Sequence, residues 1–376
     1  LDCNCLDVCL HASTSSTPLK TVLEMSVVAA WASFCGMKMR IDNLSTSMGT
    51  VMATGWEPSG LSAAEVEDGE AYHRALYHDG DTDRPVNWHK NSVESLIEMA
   101  IPHISDGALV VDYGSGTGGS AIEMLKSLDE RGIEIELILI DPLVSWFSKA
   151  REILGQRDDV HFELSIQKDD SGRTSFRRLE DILGGRKADV IISSSTLHLI
   201  PAKTIGDLAK QFAVCLKEDG AFVWDSGDLE SDLRPEVSAL LHDPYRAVRE
   251  LLRHDEERSA ILSQMDVDEK KRHERRLDRI FPPPMPVEVV LRALSEAGFS
   301  SEIHDKIIPF SREDAKKFAL VPRLAEIASP LQVGDDRDGA IRGALETALD
   351  SIADEGRGTG GEYRSYWVFG CHRLNR

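Results

Sequence analysis

Cationic side chains are in short supply: the 376 residues hold 43 Lys and Arg against 64 Asp and Glu, a formal net charge of -21. Such a surface repels phosphate backbones and anionic bilayers, so neither nucleic acid nor membrane is an expected partner. Cysteine is sparse and poorly placed for stapling. The six lie at positions 3, 5, 9, 35, 215 and 371, which makes no disulfide framework and points to a reducing, cytoplasmic setting. Cys3, Cys5 and Cys9 crowd one end with His11, but no second ligand pair follows at structural-zinc spacing, so no metal site is expected. The apolar stretch from Met25 to Met37 falls short of the roughly 20 residues that span a bilayer. No internal repeat is visible, and the apolar content of 41% is enough for a large core without staples.

What is there divides the chain into five parts. Residues 1–60 carry few charges and a Ser/Thr cluster from Ser13 to Thr17, and read as a poorly ordered extension. A targeting peptide is the alternative, opposed by Asp2, Asp7 and Glu24 lying where a signal carries basic residues. Residues 61–105 predict a helical cover, with helices over 63–76 and 90–104. Across 106–230, short apolar runs at 110–113, 135–140, 160–166, 188–193 and 221–225 alternate with helical stretches. That alternation implies a doubly wound α/β core, a parallel sheet covered on both faces, with ligands at the carboxyl ends of its strands. Residues 231–284 read as a charged helical insertion, a lid or an oligomer surface such as a homodimer would use. Residues 285–376 complete the core around a second helical insertion at 312–353.

The chemistry concentrates in VVDYGSGTGG, Val110 to Gly119, where an apolar strand runs into spaced glycines that let a ligand approach bare backbone. Two cofactor classes fit it. Gly114, Gly116 and Gly119 satisfy G-x-G-x-x-G, and Asp141 closes the second strand at the distance that a dinucleotide fingerprint asks, which suits an NAD-dependent oxidoreductase. Asp112 stands two residues before the first glycine, however, and a carboxylate there favours a cationic sulfonium and ammonium where it would oppose a pyrophosphate.

With Asp112, Gly114, Gly116 and Gly118 in this arrangement, the chain resembles the class I S-adenosylmethionine-dependent methyltransferases. ADVIISSSTLHLIP, from Ala188 to Pro201, looks like that family's fourth motif, and LKEDGAFVWD, Leu216 to Asp225, like its fifth strand. GSGTGG with SSSTLHLIP is similar to the carbon-methylating domains of polyketide synthases, and SSSTLH to plant carboxyl methyltransferases of small acids. The resemblance implies a Rossmann-like sheet, S-adenosylmethionine as cofactor and a small-molecule methyl acceptor. It puts Asp112, Gly114, Ser115, Gly116, Thr117 and Gly118 around the cofactor's amino acid end. Asp141 and Pro142 go to the ribose, and Ser193 and Ser194 to the methionine part. Gln167 is a candidate for the adenine amine, with Trp146 near the adenine. Tyr77, with Tyr72, is a candidate to cover the sulfonium with its ring face.

Methyl transfer requires acceptor, methyl carbon and sulfur to be held in line and dry. An oxygen or nitrogen acceptor also gives up a proton, and His198, just past the fourth strand, is the candidate base. Its other use is to pack or cap the next helix. His89, beside Trp88, is a weaker candidate and reads as a surface residue. A non-catalytic relative that keeps the fold as a binding module is the remaining alternative.

Overall fold

The computed structural model describes residues 56–169 and 172–374. The terminal extension, with Cys3, Cys5, Cys9, His11 and the Met25 to Met37 stretch, lies outside them. Seven strands form one sheet in the order β10-β11-β7-β6-β1-β2-β3. β1 (Ala108–Tyr113) is the middle of its five parallel strands, flanked by β2 (Ile135–Asp141) and β6 (Ala188–Ser194), with Val110 opposite both Leu137 and Val190. β3 (Val160–Leu164) extends the parallel run on one side and β7 (Leu216–Ser226) on the other. The final strand, β11 (Glu362–Leu374), enters antiparallel between β7 and β10 (Phe299–Ser311). Strand order reverses at β1, so a crevice opens beyond the carboxyl ends of β1 and β6.

Burial on both faces explains the composition of the central strands. Ala108 to Val111 and Leu137 to Ile140 are all buried, because helices pack on each side of a parallel sheet. One face takes α1 (Ala63–Leu76), α2 (Asn87–Ala100), α3 (Gly119–Asp129) and α4 (Val144–Leu154). The other takes α5 (Leu179–Ile182) and α6 (Ala202–Cys215), joined by α10, described below. α1 starts at a capping box, in which Glu65 N–H donates to Ser62 Oγ and Ser62 N–H donates to the Glu65 carboxylate.

After the third apolar run a small hairpin forms, β4 (Ile166–Lys168) antiparallel to β5 (Thr174–Phe176). Its strands are three residues each, too short for their alternation to stand out in the sequence. A two-stranded pair, β8 (Leu229–Glu230) with β9 (Met285–Pro286), brackets the charged insertion. The insertion holds three helices, α7 (Asp243–Leu252), α8 (Glu256–Ser263) and α9 (Val267–Leu277), the last opened by an Asp266 and Glu269 capping box. α10 (Val287–Glu296) returns to the sheet, and α11 (Arg312–Ala319) and the twenty-residue α12 (Asp335–Asp354) follow β10. α12 packs along α7, so the two helical insertions meet each other. Among the described residues no helix is long and apolar enough to cross a membrane.

Candidate active site

The turn after β1 takes its shape from glycine. Gly114, Gly116 and Gly118 all sit at positive φ, 83°, 54° and 81°, and Gly118 then caps the N-terminus of α3. A Cβ at Gly114 would fall 2.3 Å from Thr196 Oγ1, so the loop after β6 closes directly onto the bare turn. Thr196 Oγ1 donates to the carbonyls of Gly114 at 3.1 Å and Ser194 at 2.9 Å, which locks the two loops together.

Between these loops lies a cavity of about 660 Å³. Gly114, Ser115, Gly116 and Thr117 line its floor, Asp141 and Pro142 one wall, and Ser194, Ser195 and Thr196 the other. Above them stands α1, whose Tyr72 ring stacks on Trp146 at a centroid distance of 3.8 Å. Asp141 is held by two amides: Gly116 N–H donates to Oδ2 at 2.8 Å and Leu143 N–H to Oδ1 at 2.6 Å. Each carboxylate oxygen keeps a second lone pair for a ligand hydroxyl.

Three buried carboxyl groups gather here: Asp141 lines the cavity, while Asp112 and Asp225 are not among its lining residues. Asp112, at the end of β1, is fully buried and neither of its oxygens has a hydrogen-bond partner. Burial, then the charges of Asp141 and Asp225, push its pKa up to about 8. Asp141 is pushed up to about 6 by burial, against the two amide bonds. Asp225, at the end of β7, is raised to about 7 by burial, against hydrogen bonds from Ser195 N–H at 2.8 Å and Ser194 Oγ at 3.1 Å. The Tyr72 hydroxyl is pushed above its ordinary value by its own burial and by Asp141 and Asp225. Further buried polar atoms beside the cavity lack protein partners: Ser115 Oγ, Thr117 Oγ1, Trp146 Nε1, Ser165 Oγ, His89 Nε2 and Trp88 Nε1. Orphaned donors and acceptors at this density mark a place built for a polar ligand.

Several residues singled out from the sequence stand elsewhere. Tyr77 is wholly buried off the cavity, its hydroxyl donating to Gly119 O at 3.3 Å and to Glu123 at 3.0 Å, and of the two tyrosines it is Tyr72 that lines the space. Gln167 is exposed on the hairpin, and Ser165, Ser175 and Phe176 line the cavity in that quarter. Ser193 Oγ turns back to Tyr113 O at 2.8 Å, leaving its neighbour Ser194 on the wall. Gly118 supports the turn from behind, against Ala150 of α4. His89 is no surface residue: it is buried on α2 against Gly119, and burial lowers its pKa to about 3.

His198 lies in the turn Leu197–Leu199, between the cavity-lining Thr196 and Leu199, but its ring faces away from the cavity. Its Nδ1 is 2.9 Å from Ser226 Oγ and its ring meets His242 edge to face at 5.1 Å. Burial first, then the charges of His242 and Arg246, lower its pKa to about 3, so it is neutral at pH 7. Asp225 was not among the residues singled out. Its only sequence signal is an acid ending the fifth strand, the position Asp141 holds on the second.

The fold is a doubly wound, Rossmann-like sheet, completed by the antiparallel β11 between β7 and β10. No family model and no curated protein matches the chain. Solved structures similar to it include a putative sarcosine dimethylglycine methyltransferase from Galdieria sulphuraria, 13% identical over 82% of this chain and 98% of that one, TM-score 0.47. The cyclopropane synthase MmaA2 of Mycobacterium tuberculosis is 11% identical over 83% and 95%, TM-score 0.46. The Haemonchus contortus phosphoethanolamine N-methyltransferase 2, solved with phosphomonomethylethanolamine and S-adenosylhomocysteine, is 12% identical over 81% of this chain and 56% of that one, TM-score 0.42.

Proposed function

We propose that this protein transfers the methyl group of S-adenosylmethionine to a small-molecule acceptor at oxygen, nitrogen, sulfur or an activated carbon. The observation that carries the reading is the group of three buried carboxyls: Asp141 on the cavity wall and, behind the lining, Asp225 and Asp112, whose two oxygens have no hydrogen-bond partner and which lies within electrostatic reach of the other two. A ligand bringing ammonium and sulfonium charge supplies what that group lacks, and a pyrophosphate would be repelled by it. In this reading Asp141 takes the ribose hydroxyls, the amides of the glycine turn take the methionine end, and Tyr72 and Trp146 cover the cofactor. The acceptor's lone pair forms the new bond to the methyl carbon while the carbon–sulfur pair leaves on sulfur as a neutral thioether. The chain's part is to align and dry the three atoms.

For the proton of an oxygen or nitrogen acceptor, two groups stand at this edge, His198 and Asp225. The geometry favours Asp225. Ser194 Oγ lies on the cavity wall and donates to it, so the hydroxyl can pass a proton inward to a carboxylate raised to about 7, near the working pH. His198, turned to Ser226 and a far weaker base, suits positioning of the loop. Calorimetry with S-adenosylmethionine and with NADH tests the cofactor: binding of the nicotinamide alone would remove the reading. Asp225→Asn should then cut turnover by about 10²- to 10⁴-fold with cofactor affinity kept. A greater loss in His198→Ala would return the role to the histidine. Cofactor affinity without turnover on any acceptor in a screen for S-adenosylhomocysteine would favour a non-catalytic binding module.

A further inference from the structure

His198, Asp228 and His242 come from three separate segments: the turn after β6, the link between β7 and β8, and the residue before α7. All three are buried, at 7%, 1% and 4% exposure, and one potential ligand atom from each lies within 4.8 Å of the other two. No other such group of histidine, cysteine and acid side chains occurs among the described residues. We propose that these three side chains form a binding site for a divalent transition-metal ion, held by two imidazoles and one carboxylate.

The distances suit an ion. His242 Nδ1 and Asp228 Oδ2 stand 2.9 Å apart, the separation of two neighbouring ligand atoms each about 2.1 Å from one metal. The surrounding hydrogen bonds are of the kind that orient ligands. Ser226 Oγ accepts the Asp228 N–H at 3.1 Å, and its second lone pair faces His198 Nδ1 at 2.9 Å; with Nδ1–H donating there, His198 Nε2 is left unprotonated to ligate. Asp228 is fixed from its outer side by Arg246, at 2.7 and 2.9 Å, and by the His242 main-chain N–H at 3.2 Å. Phe281 edges onto the His242 ring at 4.9 Å and limits its rotation.

Arg246 decides which ions qualify. Its positive charge on the same carboxylate opposes any dication and removes much of the electrostatic attraction that binds Mg²⁺ or Ca²⁺ through oxygen. Binding must then come from the imidazoles, which selects Zn²⁺, Co²⁺, Ni²⁺ or Fe²⁺. Each histidine must be neutral to ligate, with His242 moving its proton from Nδ1 to Nε2. The balance is simple: the ion replaces the hydrogen bond between His242 and Asp228, and no group is oxidised.

The test uses the full chain, stripped with a chelator and titrated with Zn²⁺ by calorimetry and with Co²⁺ by visible absorption. One ion per chain, with a Co²⁺ band and a raised melting temperature, is expected. His198→Gln and His242→Gln should each weaken Zn²⁺ about 100-fold or more, Ser226→Ala about 10-fold, and His304→Gln, at an exposed histidine, not at all. Wild-type protein that binds neither ion, or binding that survives both glutamine variants, overturns the site and leaves a hydrogen-bonded cluster around Arg246. S-adenosylmethionine titrated into the same stripped sample keeps this result separate from the cofactor reading, which needs no metal.

Discussion

At the residue scale the site depends on a few atoms with no alternative partner. Asp141 is the only carboxylate here that both meets the glycine turn through an amide and lines the cavity. On the proposed role of Asp141, losing bonds to two ribose hydroxyls would remove about 1.5–3 kcal/mol, so Asp141→Ala should weaken S-adenosylmethionine by roughly 10- to 100-fold in calorimetry. Unchanged affinity would mean that the ribose sits elsewhere. Gly114 was legible as a turn glycine, but the reason it tolerates no side chain was not. Thr196, 82 residues later, fills the space where a Cβ would go, and the backbone is at φ 83°. Gly114→Ala should therefore cost about 1–3 kcal/mol in denaturant unfolding, and Gly114→Ala with Thr196→Gly should recover the part due to the clash, leaving the backbone strain.

At the element scale, α1 covers the cavity and its attachment is specific. Asp68 accepts Ser145 Oγ from α4 at 2.9 Å, and from Arg323, just past α11, it accepts the main-chain N–H at 2.9 Å and Nε at 3.2 Å. Gly69 lets α1 approach α4 so closely that a Cβ there would stand 2.5 Å from Ser145 O. Removing one partner of a buried pair costs about 3–5 kcal/mol, so Asp68→Ala should loosen the cover and speed cofactor release in stopped-flow displacement more than it slows binding. If the release rate stayed at the wild-type value, α1 would not be the gate. The helix itself is readable from its periodicity. That it lies over the glycine turn was a guess from chain order, because the clamp joins residues 255 apart.

At the scale of the whole molecule, charge and pH act together. Asp112, Asp141 and Asp225 have folded pKa values of about 8, 6 and 7 against an ordinary 3.8. Each takes up a proton on folding between those limits. The stability they contribute is complete below about pH 4 and is lost as pH rises through 6 to 8. A cationic ligand reverses the preference, because it favours the ionised carboxyls. Near pH 7, binding of S-adenosylmethionine should release protons, seen as a heat of binding that changes with the buffer's ionisation enthalpy. An equal heat in phosphate and Tris would show that these carboxyls do not titrate with the cofactor. The net charge of -21 adds that no retention on heparin or DNA is expected even at low salt.

The amino acid order by itself determined the alternation of strand and helix, the glycine turn, and the acids that end β1 and β2. These are local: a period of two or 3.6, an unbranched backbone, a carboxylate at a strand end. Tertiary structure alone decided which tyrosine meets the cavity, that His198 turns away from it, and that Asp225 joins Asp112 and Asp141. It also brought His198, Asp228 and His242 together from three segments. The physical reason is that these choices depend on which side of a loop or helix faces a neighbour distant in the chain, and on the desolvation that only packing creates.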